Sequence, residues 1–585
     1  MKRSIFFAVA LAMTFLACDP EEVTPVAPQS HSNEVISQPT VWKVENNPHT
    51  ITGTVTVNGG VLTIEPGAII KFAENASLII DGQNSSLVAV GTPEKPITFT
   101  SASANPVPGN WESIVFKTGV VNCQMAFCNV EYGGGNSSYG MIEVRGSAQV
   151  SVNNCNLKKS HGPAARALDE NGFVSFANNT LESTANHALS LSGKNVKTLG
   201  PGNTFIAGPG FGILVSASSS GTIIINDENT WAKQNVPYFL KDEMSIRGGG
   251  KLILQPGVIL KMMAGNYINV GYNGENGQFL AKGTVNDSVY ITSASSAPQA
   301  GDWKFIRFQS GAINCELEYC NVSYGGGDSY VDMIYVKDNG QLSIKNSTFS
   351  NAKQITAISA IDDTNGFTAF ENNVIYAPTG RHAMRLRGCY VDEIGEGNVF
   401  HTSAGYGVQI TGGVSYTSYI SADAIWKKLN VPYIASDNIV VYENATLTIA
   451  PGTIIMFDAG KTIEIGYSSS YGPGRIMAVG TLELPIVFTS SSAAPQNGDW
   501  SGIIFNSYTL ADSELDYCVV EYAGKSYGNI EVYPCGAGNP KIQNCVIKNS
   551  KKYGVYKRKV SGVHGDPLLV NNTFIDNISG DIGQQ

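Results

Sequence analysis

The sequence predicts an all-β fold in which three long repeats stack into one parallel solenoid. One phrase occurs three times, as GNWESIVF at 109–116, GDWKFIRF at 301–308 and GDWSGIIF at 498–505. The composition has 63 Gly and only 15% charged residues, which is typical of many short strands separated by turns. Cysteines also recur 27 residues apart, a spacing that fits one coil of a solenoid. Repeat arrays bury a continuous core by stacking, so one elongated body is expected.

The first 40 residues predict export and a lipid anchor. A charged start, MKR, precedes an apolar run that is too short to span a membrane. The ending FLAC at 15–18 resembles the lipobox of bacterial lipoproteins of the Bacteroidetes type. That resemblance implies a signal peptide over residues 1–17 and a lipid, with palmitate among its acyl chains, on Cys18. Residues 18–40 are then the lipidated Cys and a flexible tether; an ordinary secretory signal is the alternative.

The order of elements is the same in each repeat. A Trp comes first and a Pro follows six residues later, then two short strands are predicted around a Pro-Gly corner, then a strand ending in Thr-Ser, and then the Trp phrase. The Pro-Gly segments are LTIEPGAIIKF at 62–72, LILQPGVILKM at 252–262 and LTIAPGTIIMF at 447–457. We therefore divide the chain into a first unit, 41–230, a second unit, 231–425, and a shortened third unit, 426–585.

Small residues one coil apart distinguish a parallel solenoid from an antiparallel sandwich. Tight Asn-Gly hairpins at regular intervals would favour the sandwich, whereas stacked coils place residues over one another at about 4.8 Å. Nine cysteines besides Cys18 are expected mainly as buried thiols, and a disulfide between Cys123 and Cys128 would require a turn between them. The pairs that keep the 27-residue spacing are Cys128 and Cys155, Cys320 and Ser347, and Cys518 and Cys545.

The repeated phrases, written LTIxPGxxIxF, PIxFTS, GxWxxIxF and VEYxG, resemble those of right-handed parallel β-helix proteins of the pectin-lyase-like superfamily. The resemblance covers residues 40 to 585 and implies a right-handed parallel β-helix. It is specific for the fold and says little about activity, because function resides in sites added to a fold. Lyases of this superfamily hold calcium with carboxylates and use an Arg or Lys base, while its hydrolases use two or three Asp.

Candidate catalytic residues are therefore sought among acidic pairs and nearby Arg. Asp362 and Asp363 partly match a paired-Asp motif, and Arg385 lies about one coil further on with its side chain expected to face outward. Both Asp precede Asn-Gly, so a solvated turn is the alternative, and surface ion pairing is the alternative for the Arg. His187 and His382 occupy equivalent positions and are expected to be structural. No metal site is predicted, because no C-x-x-C spacing occurs, and no cofactor is predicted.

Candidate ligand-binding residues lie in the loop after the Tyr-Gly corner of each unit. Tyr139, Tyr330 and Tyr527 repeat at this place in the three units. A Tyr has a large flat face and a polar tip, so the three could form spaced platforms for sugar rings. The alternative is that each Tyr covers the edge of a coil.

The function that the sequence favours is a non-catalytic, surface-exposed lipoprotein of the outer membrane that serves as a glycan- or protein-binding scaffold. Its expected partners are the membrane, through Cys18, a polysaccharide and an outer-membrane protein. A polysaccharide lyase or glycoside hydrolase of the same fold is the alternative; it is less favoured because the repeats share scaffold residues rather than a set of carboxylates and Arg. The formal charge of −10 argues against nucleic acid as a partner.

Alternation in the Trp phrase predicts which side chains face the core. Ile306 and Phe308 share one parity, and the same two positions are apolar in the other units. Trp303 has the opposite parity and is expected at the corner or on the outer side. In this position it would cover a loop rather than bind a ligand.

Overall fold

The protein is a right-handed parallel β-helix of about 21 turns. The computed structural model describes residues 26–169, 172–218, 221–353, 356–362, 366–536 and 538–585. The predicted signal peptide and Cys18 lie outside these residues. Each coil carries short strands on three faces, and each strand pairs in parallel with the strands of the coils above and below. An antiparallel hairpin, Lys559–Val560 with Val563–His564, projects from this body.

Three sheets form the faces of the first unit, which begins before residue 41. Ser30–His31 and Val35–Ile36, predicted to lie in a flexible tether, pair with the next coil, so the tether prediction is wrong for these residues. Sheet 1 contains Ser30–His31, His49–Ile51, Ile69–Phe72, Ile97–Ser101, Cys128–Glu131, Asn156–Lys158, Thr180–Ser183 and Thr204–Ala207. Sheet 2 contains Val35–Ile36, Thr54–Asn58, Ser77–Asp81, Ile114–Phe116, Ile142–Val144, Ala165–Ala167, Leu189–Ser192 and Ile213–Ser216, and it continues into the second unit with Tyr238–Leu240, Ile259–Met262, Val289–Ser293, Cys320–Ser323, Thr348–Ser350, Val374–Tyr376 and Val399–His401. Sheet 3 contains Thr40–Trp42, Val61–Ile64, Ser86–Val90, Cys123–Ala126, Val150–Asn153 and Phe173–Ala177.

Four further sheets complete the second and third units. Sheet 4 contains Thr222–Ile225, Glu243–Ile246, Ile268–Val270, Ile306–Phe308, Ile334–Val336, Ile358–Ala360, Met384–Leu386 and Val408–Ile410, and continues with Tyr433–Ala435, Ile454–Phe457, Ile486–Ser490, Cys518–Glu521, Val546–Lys548 and Thr573–Ile575. Sheet 5 contains Glu228–Trp231, Gly250–Leu254, Gly277–Lys282, Cys315–Glu318, Leu342–Lys345 and Phe367–Glu371. Sheet 6 contains Thr417–Ile420, Asn438–Val441, Thr462–Ile465, Gly502–Phe505, Gly528–Val532, Tyr553–Lys557 and Gly580–Gln584. Sheet 7 contains Ala424–Trp426, Thr446–Ile449, Arg475–Val479, Glu514–Asp516, Lys541–Gln543 and Leu568–Val570. Short 3₁₀ helices span Val44–Asn46, Gly193–Thr198, Gly388–Glu393 and Gly413–Ser415.

The faces shift by one sheet from each unit to the next. Coils of the first unit pass through sheets 1, 2 and 3, those of the second through sheets 2, 4 and 5, and those of the third through sheets 4, 6 and 7. Sheet 2 crosses into the second unit where Ile213–Ser216 pairs with Tyr238–Leu240. Sheet 4 crosses into the third where Val408–Ile410 pairs with Tyr433–Ala435. The middle face of one unit is therefore the first face of the next.

An Asn in the repeated Asn-Val-Pro segment closes the sheet that stops at each of these crossings. Sheet 1 ends at the strand of Phe205, whose backbone N–H donates to Asn235 Oδ1 at 3.0 Å while Asn235 Nδ2 donates to the Phe205 carbonyl at 2.8 Å. Sheet 2 ends in the same way, with Asn430 and Phe400 at 3.0 and 2.8 Å. The side-chain amide thus replaces the next strand and satisfies the exposed edge.

The cysteine ladder predicted from the 27-residue spacing is confirmed. Asn129 pairs with Asn156, so the preceding Cys128 and Cys155 lie over one another in adjacent coils, both buried. All nine described cysteines are free thiols, so the disulfide alternative for Cys123 and Cys128 is wrong. Burial raises the pKa of Cys123 to about 11 and keeps its thiol protonated.

In the Trp phrase, Ile306 and Phe308 face the core as predicted, whereas Trp303 lies on a different side from the one predicted. Ile306 and Phe308 are fully buried, which confirms their inward parity. Trp303 is also fully buried, and its indole Nε1 donates to the Ser323 carbonyl at 2.8 Å, so the outer-side placement was wrong. The reason is local: a Cβ on Gly325 would lie 2.6 Å from the indole, and the glycine leaves the ring room to turn inward at the corner.

Candidate functional site

The three predicted Tyr platforms differ in how accessible their rings are. Tyr139 and Tyr527 are each 38% exposed, whereas Tyr330 is 88% exposed. The Arg145 guanidinium lies 4.4 Å from the Tyr139 ring centre, and that of Arg558 lies 4.0 Å from the Tyr527 ring centre. Two of the rings are thus covered by cation–π contacts within the protein, and the Tyr330 ring is open to solvent.

The three Tyr loops also lie on different sheets. Tyr139 precedes Ile142–Val144 of sheet 2, Tyr330 precedes Ile334–Val336 of sheet 4, and Tyr527 directly precedes Gly528–Val532 of sheet 6. Because the faces shift between units, equivalent loops turn around the solenoid axis. Each loop therefore belongs to a separate site.

A buried carboxylate lies beside each Tyr loop. Glu143 and Asp332 are 1% exposed and Glu531 is 3% exposed. Arg166 contacts Glu143 at 2.6 Å, and Arg385 contacts Asp332 at 2.7 Å. Burial raises the pKa of Glu143, and it raises that of Glu531 to about 7. Arg385, predicted to lie near Asp362 and Asp363, has its ion pair with Asp332 instead.

The second unit carries a row of polar side chains along the outer side of sheet 4. Backbone pairing places them at one register position on five successive strands. Neighbouring strands are about 4.8 Å apart, so the side chains form an evenly spaced ladder parallel to the axis. We call this the outer row; its members are Asn269, Arg307, Tyr335, Ser359 and Arg385.

Three atoms of the outer row are buried without a hydrogen-bond partner among the described residues. They are Oδ1 of Asn269, Nε of Arg307 and Oγ of Ser359. Ser359 is fully buried between the coils on either side. Buried polar atoms are nearly always satisfied in folded proteins, but these three are closed off from solvent. A ligand that supplies hydroxyl or carboxylate groups would instead meet the half-buried side chains of the row, which are Asn269, Arg307, Tyr335 and Arg385.

Asp362 lies at the edge of this row. The Tyr335 hydroxyl donates to its carboxylate at 3.3 Å, and the Tyr390 hydroxyl donates to its backbone carbonyl at 3.1 Å. Burial, with the nearby charge of Asp338, raises the pKa of Asp362. Burial and the Asp362 charge likewise raise the pKa of Tyr335, although the Arg385 and Arg307 charges oppose this. Asp363, the other member of the predicted pair, lies outside the described residues.

The repeated His residues are structural, as expected. The His187 ring is 7% exposed, and its Nδ1 accepts a hydrogen bond from the Gly212 backbone N–H at 3.1 Å. Burial lowers the pKa of His187 to about 4, so the ring is neutral at physiological pH. His382 accepts an equivalent hydrogen bond from Gly407 at 3.3 Å, and burial lowers its pKa as well.

A cluster of four Tyr side chains, which the sequence did not single out, lies on sheet 6 of the third unit. The ring centre of Tyr471 is 6.3 Å from that of Tyr419, 5.7 Å from that of Tyr442 and 5.4 Å from that of Tyr467. Tyr467 and Tyr471 are 42% and 44% exposed, and the other two are half-buried. We call this cluster the tyrosine patch.

The described part of the chain has neither a metal-binding cluster nor a membrane-spanning helix. None of its groups of three or more His, Cys, Asp or Glu is arranged to hold a metal ion. Its helices are short 3₁₀ turns, and none has the length and apolar character needed to cross a bilayer.

Comparison with known proteins identifies the domain type. None of the curated proteins matches the chain. Among solved structures, it is similar to a PL6 family alginate lyase, AlyGC, with 12% sequence identity and a TM-score of 0.16 over 95% of this chain and 86% of that chain. The family model described as a pectate-lyase like beta helix domain matches residues 35–147 and 418–532. Two segments of the chain therefore match this family model, and both lie in one continuous parallel β-helix.

Proposed function

We propose that this protein is a non-catalytic glycan-binding β-helix, held at the outer membrane by a lipid on Cys18 and exposed at the cell surface. The observation that carries the proposal is the outer row of the second unit, in which polar side chains, four of the five half-buried, repeat at one register position on the outer side of sheet 4. The exposed ring of Tyr330 lies in the loop that leads into the same sheet.

The spacing of the outer row favours an extended polymer as the ligand. Backbone pairing fixes the side chains at equal intervals of about 4.8 Å along the axis. A polymer that presents hydroxyl or carboxylate groups at regular intervals can satisfy several of them at once, and a planar guanidinium such as that of Arg307 suits either group. Aromatic faces such as that of Tyr330 can contact the apolar face of a sugar ring.

The same surface is poorly arranged for catalysis. A general base works best when its pKa is near the operating pH, and the raised pKa of Tyr335 keeps its hydroxyl protonated. Arg385, the other candidate base, is held by the buried carboxylate of Asp332 at 2.7 Å. One observation favours the alternative, a lyase or hydrolase: Asp362, with its raised pKa, is suited to donate a proton.

Affinity electrophoresis and product assays test this proposal. Gels containing polygalacturonate or alginate should retard the protein in at least one case, and Arg307→Ala should weaken that retardation at least tenfold. Arg247→Ala is the matched control, because Arg247 follows another strand of sheet 4 and lies outside the row. If no gel retards the protein, the proposal is wrong.

Product formation separates binding from catalysis. We expect neither unsaturated nor new reducing ends after prolonged incubation with the same polysaccharides. Turnover that is lost in the double variant Asp362→Asn and Asp363→Asn would establish the enzymatic alternative and refute a non-catalytic role.

The anchor is tested separately from the ligand. Cys18→Ser should abolish labelling by a palmitate analogue and release the protein from the membrane fraction, and protease added to intact cells should degrade the native protein. An intact protein after protease treatment would contradict surface exposure. Affinity purification from solubilised outer membranes tests the expected protein partner, and recovery of this chain alone would count against it.

A further inference from the structure

The tyrosine patch is assembled from three successive coils. Tyr419 lies on Thr417–Ile420, Tyr442 follows Asn438–Val441, and Tyr467 and Tyr471 lie in the loop that follows Thr462–Ile465. Neighbouring coils thus bring side chains together that are up to 52 residues apart in the chain. The cluster is a product of the stacking and not of one flexible loop.

Backbone hydrogen bonds hold the loop in place under the rings. The Glu443 N–H donates to the Tyr471 carbonyl at 3.1 Å, which ties the loop to the coil below, and the Gly472 N–H donates to the Ser468 carbonyl at 2.9 Å. The rings therefore sit on a fixed frame, so a ligand that stacks on them has little ordering entropy to overcome.

The outer rings of the patch lack the cation–π cover that three other exposed Tyr side chains have. Tyr139, Tyr272 and Tyr527 each have an Arg guanidinium within 4.0 to 5.3 Å of the ring centre. Among the described residues, Tyr467 and Tyr471 are not part of any such cation–π contact. The faces of Tyr467 and Tyr471 are therefore available to an external group.

Glu464 lies beside the Tyr467 end of the patch, while Glu443 and Arg387 lie near Tyr442. Glu464 lies on the strand that leads into the loop, and Asn506 Nδ2 donates to its Oε2 at 3.0 Å. Backbone pairing places Glu464 next to Val440, which pairs in turn with Tyr419 of the patch, and the Glu464 charge raises the pKa of Tyr467. A carboxylate accepts hydrogen bonds from hydroxyl groups and repels other carboxylates, so this site selects against an acidic ligand.

We infer that the tyrosine patch is a second glycan-binding site, and that it takes a neutral pyranose chain. The flat Tyr faces contact the apolar faces of successive sugars, the Tyr hydroxyls bind at their edges, and Glu464 accepts hydrogen bonds from sugar hydroxyls. The inference rests on the glycan-binding function proposed above, but on a different surface and a different ligand class from the outer row.

Two Tyr variants and a matched control test the inference in native gels that contain xylan, galactomannan or hydroxyethylcellulose. At least one of these neutral polysaccharides should retard the protein, and Tyr471→Ala and Tyr467→Ala should weaken that retardation at least tenfold. Tyr272→Ala is the control, because Tyr272 follows a Gly at the same corner of the second unit and is 43% exposed, against 42% for Tyr467. An equal loss in Tyr272→Ala would overturn the inference.

The outcomes also separate this inference from the proposed function. Retardation by polygalacturonate or alginate alone, sensitive to Arg307→Ala, would leave the proposed function standing and overturn the neutral-chain site. No retardation by any polysaccharide would overturn both. Should Tyr471→Ala fail to fold, Tyr467→Ala decides, because within the described residues its ring contacts only that of Tyr471 in the patch.

Discussion

Replacing Glu531 by Gln should stabilise the protein above neutral pH. The side chain is 3% exposed, its Oε1 has no hydrogen-bond partner among the described residues, and burial raises its pKa from the ordinary value of 4.5 to about 7. The fold therefore favours the protonated carboxyl. Its contribution to stability is complete below pH 4.5 and is lost as the pH rises through 7.

The magnitude of this effect follows from the two pKa values. The difference between 4.5 and about 7 corresponds to about 3 kcal/mol of unfolding free energy. Gln is neutral at every pH and has nearly the same shape, so the variant avoids the loss. At pH 4 the native protein and Glu531→Gln should have the same stability, and at pH 8.5 the variant should be more stable by up to about 3 kcal/mol.

Guanidinium unfolding, followed by fluorescence of the buried Trp side chains, measures this difference. Glu143→Gln is the matched control: Glu143 is buried at the equivalent position, but Arg166 and Arg145 contact it at 2.6 and 3.2 Å and offset the cost of burial. Its gain at pH 8.5 should be smaller. A Glu531→Gln variant whose advantage is the same at pH 4 and 8.5, or that is less stable at pH 8.5, would refute the reasoning.

Three further perturbations follow from the buried contacts. In the folded protein the pKa of His187 is about 4, below its ordinary value of 6.5. The unfolding free energy should therefore fall by up to about 3 kcal/mol as the pH drops from 6.5 through 4. The guanidinium midpoint of His187→Gln should depend less on pH. Trp500→Ala removes a buried ring stacked on Phe457 at 4.1 Å and should cost about 3–5 kcal/mol, and an unchanged melting temperature would contradict this. Asn430→Ala should speed hydrogen exchange at the Phe400 amide, and unchanged exchange would show that the edge has another partner.

The stacking of the coils could be predicted from the sequence because it leaves a linear signature. Cys128 and Cys155 lie over one another because 27 residues complete one coil. Alternation correctly placed Ile306 and Phe308 inside, since a regular strand has only two sides. The same rule failed for Trp303, which sits at a corner where the chain turns and alternation no longer decides the side.

The Asn edge caps and the tyrosine patch could not be predicted, because they depend on which strands become neighbours when the coils stack. Asn235 and Asn430 stood out in the sequence only as part of a repeated phrase, and their role as edge caps requires a sheet that stops beside them. The tyrosine patch left a weak signal, the Tyr-dense segments YTSY at 416–419 and YSSSY at 467–471. Their contact with Tyr442 could not be predicted without the register of three coils.

Because the faces shift by one sheet, each unit is rotated about the solenoid axis relative to the unit before it, as well as displaced along that axis. Equivalent side chains in successive units face different sides of the solenoid, so a protein of three units can meet ligands from three sides without rotating. The number of units therefore sets the direction in which a binding surface faces, as well as the length of the protein. An in-frame deletion of the second unit would turn the tyrosine patch to the side of the solenoid that the outer row faces now. A change in the number of units would thus be enough to reorient a binding surface.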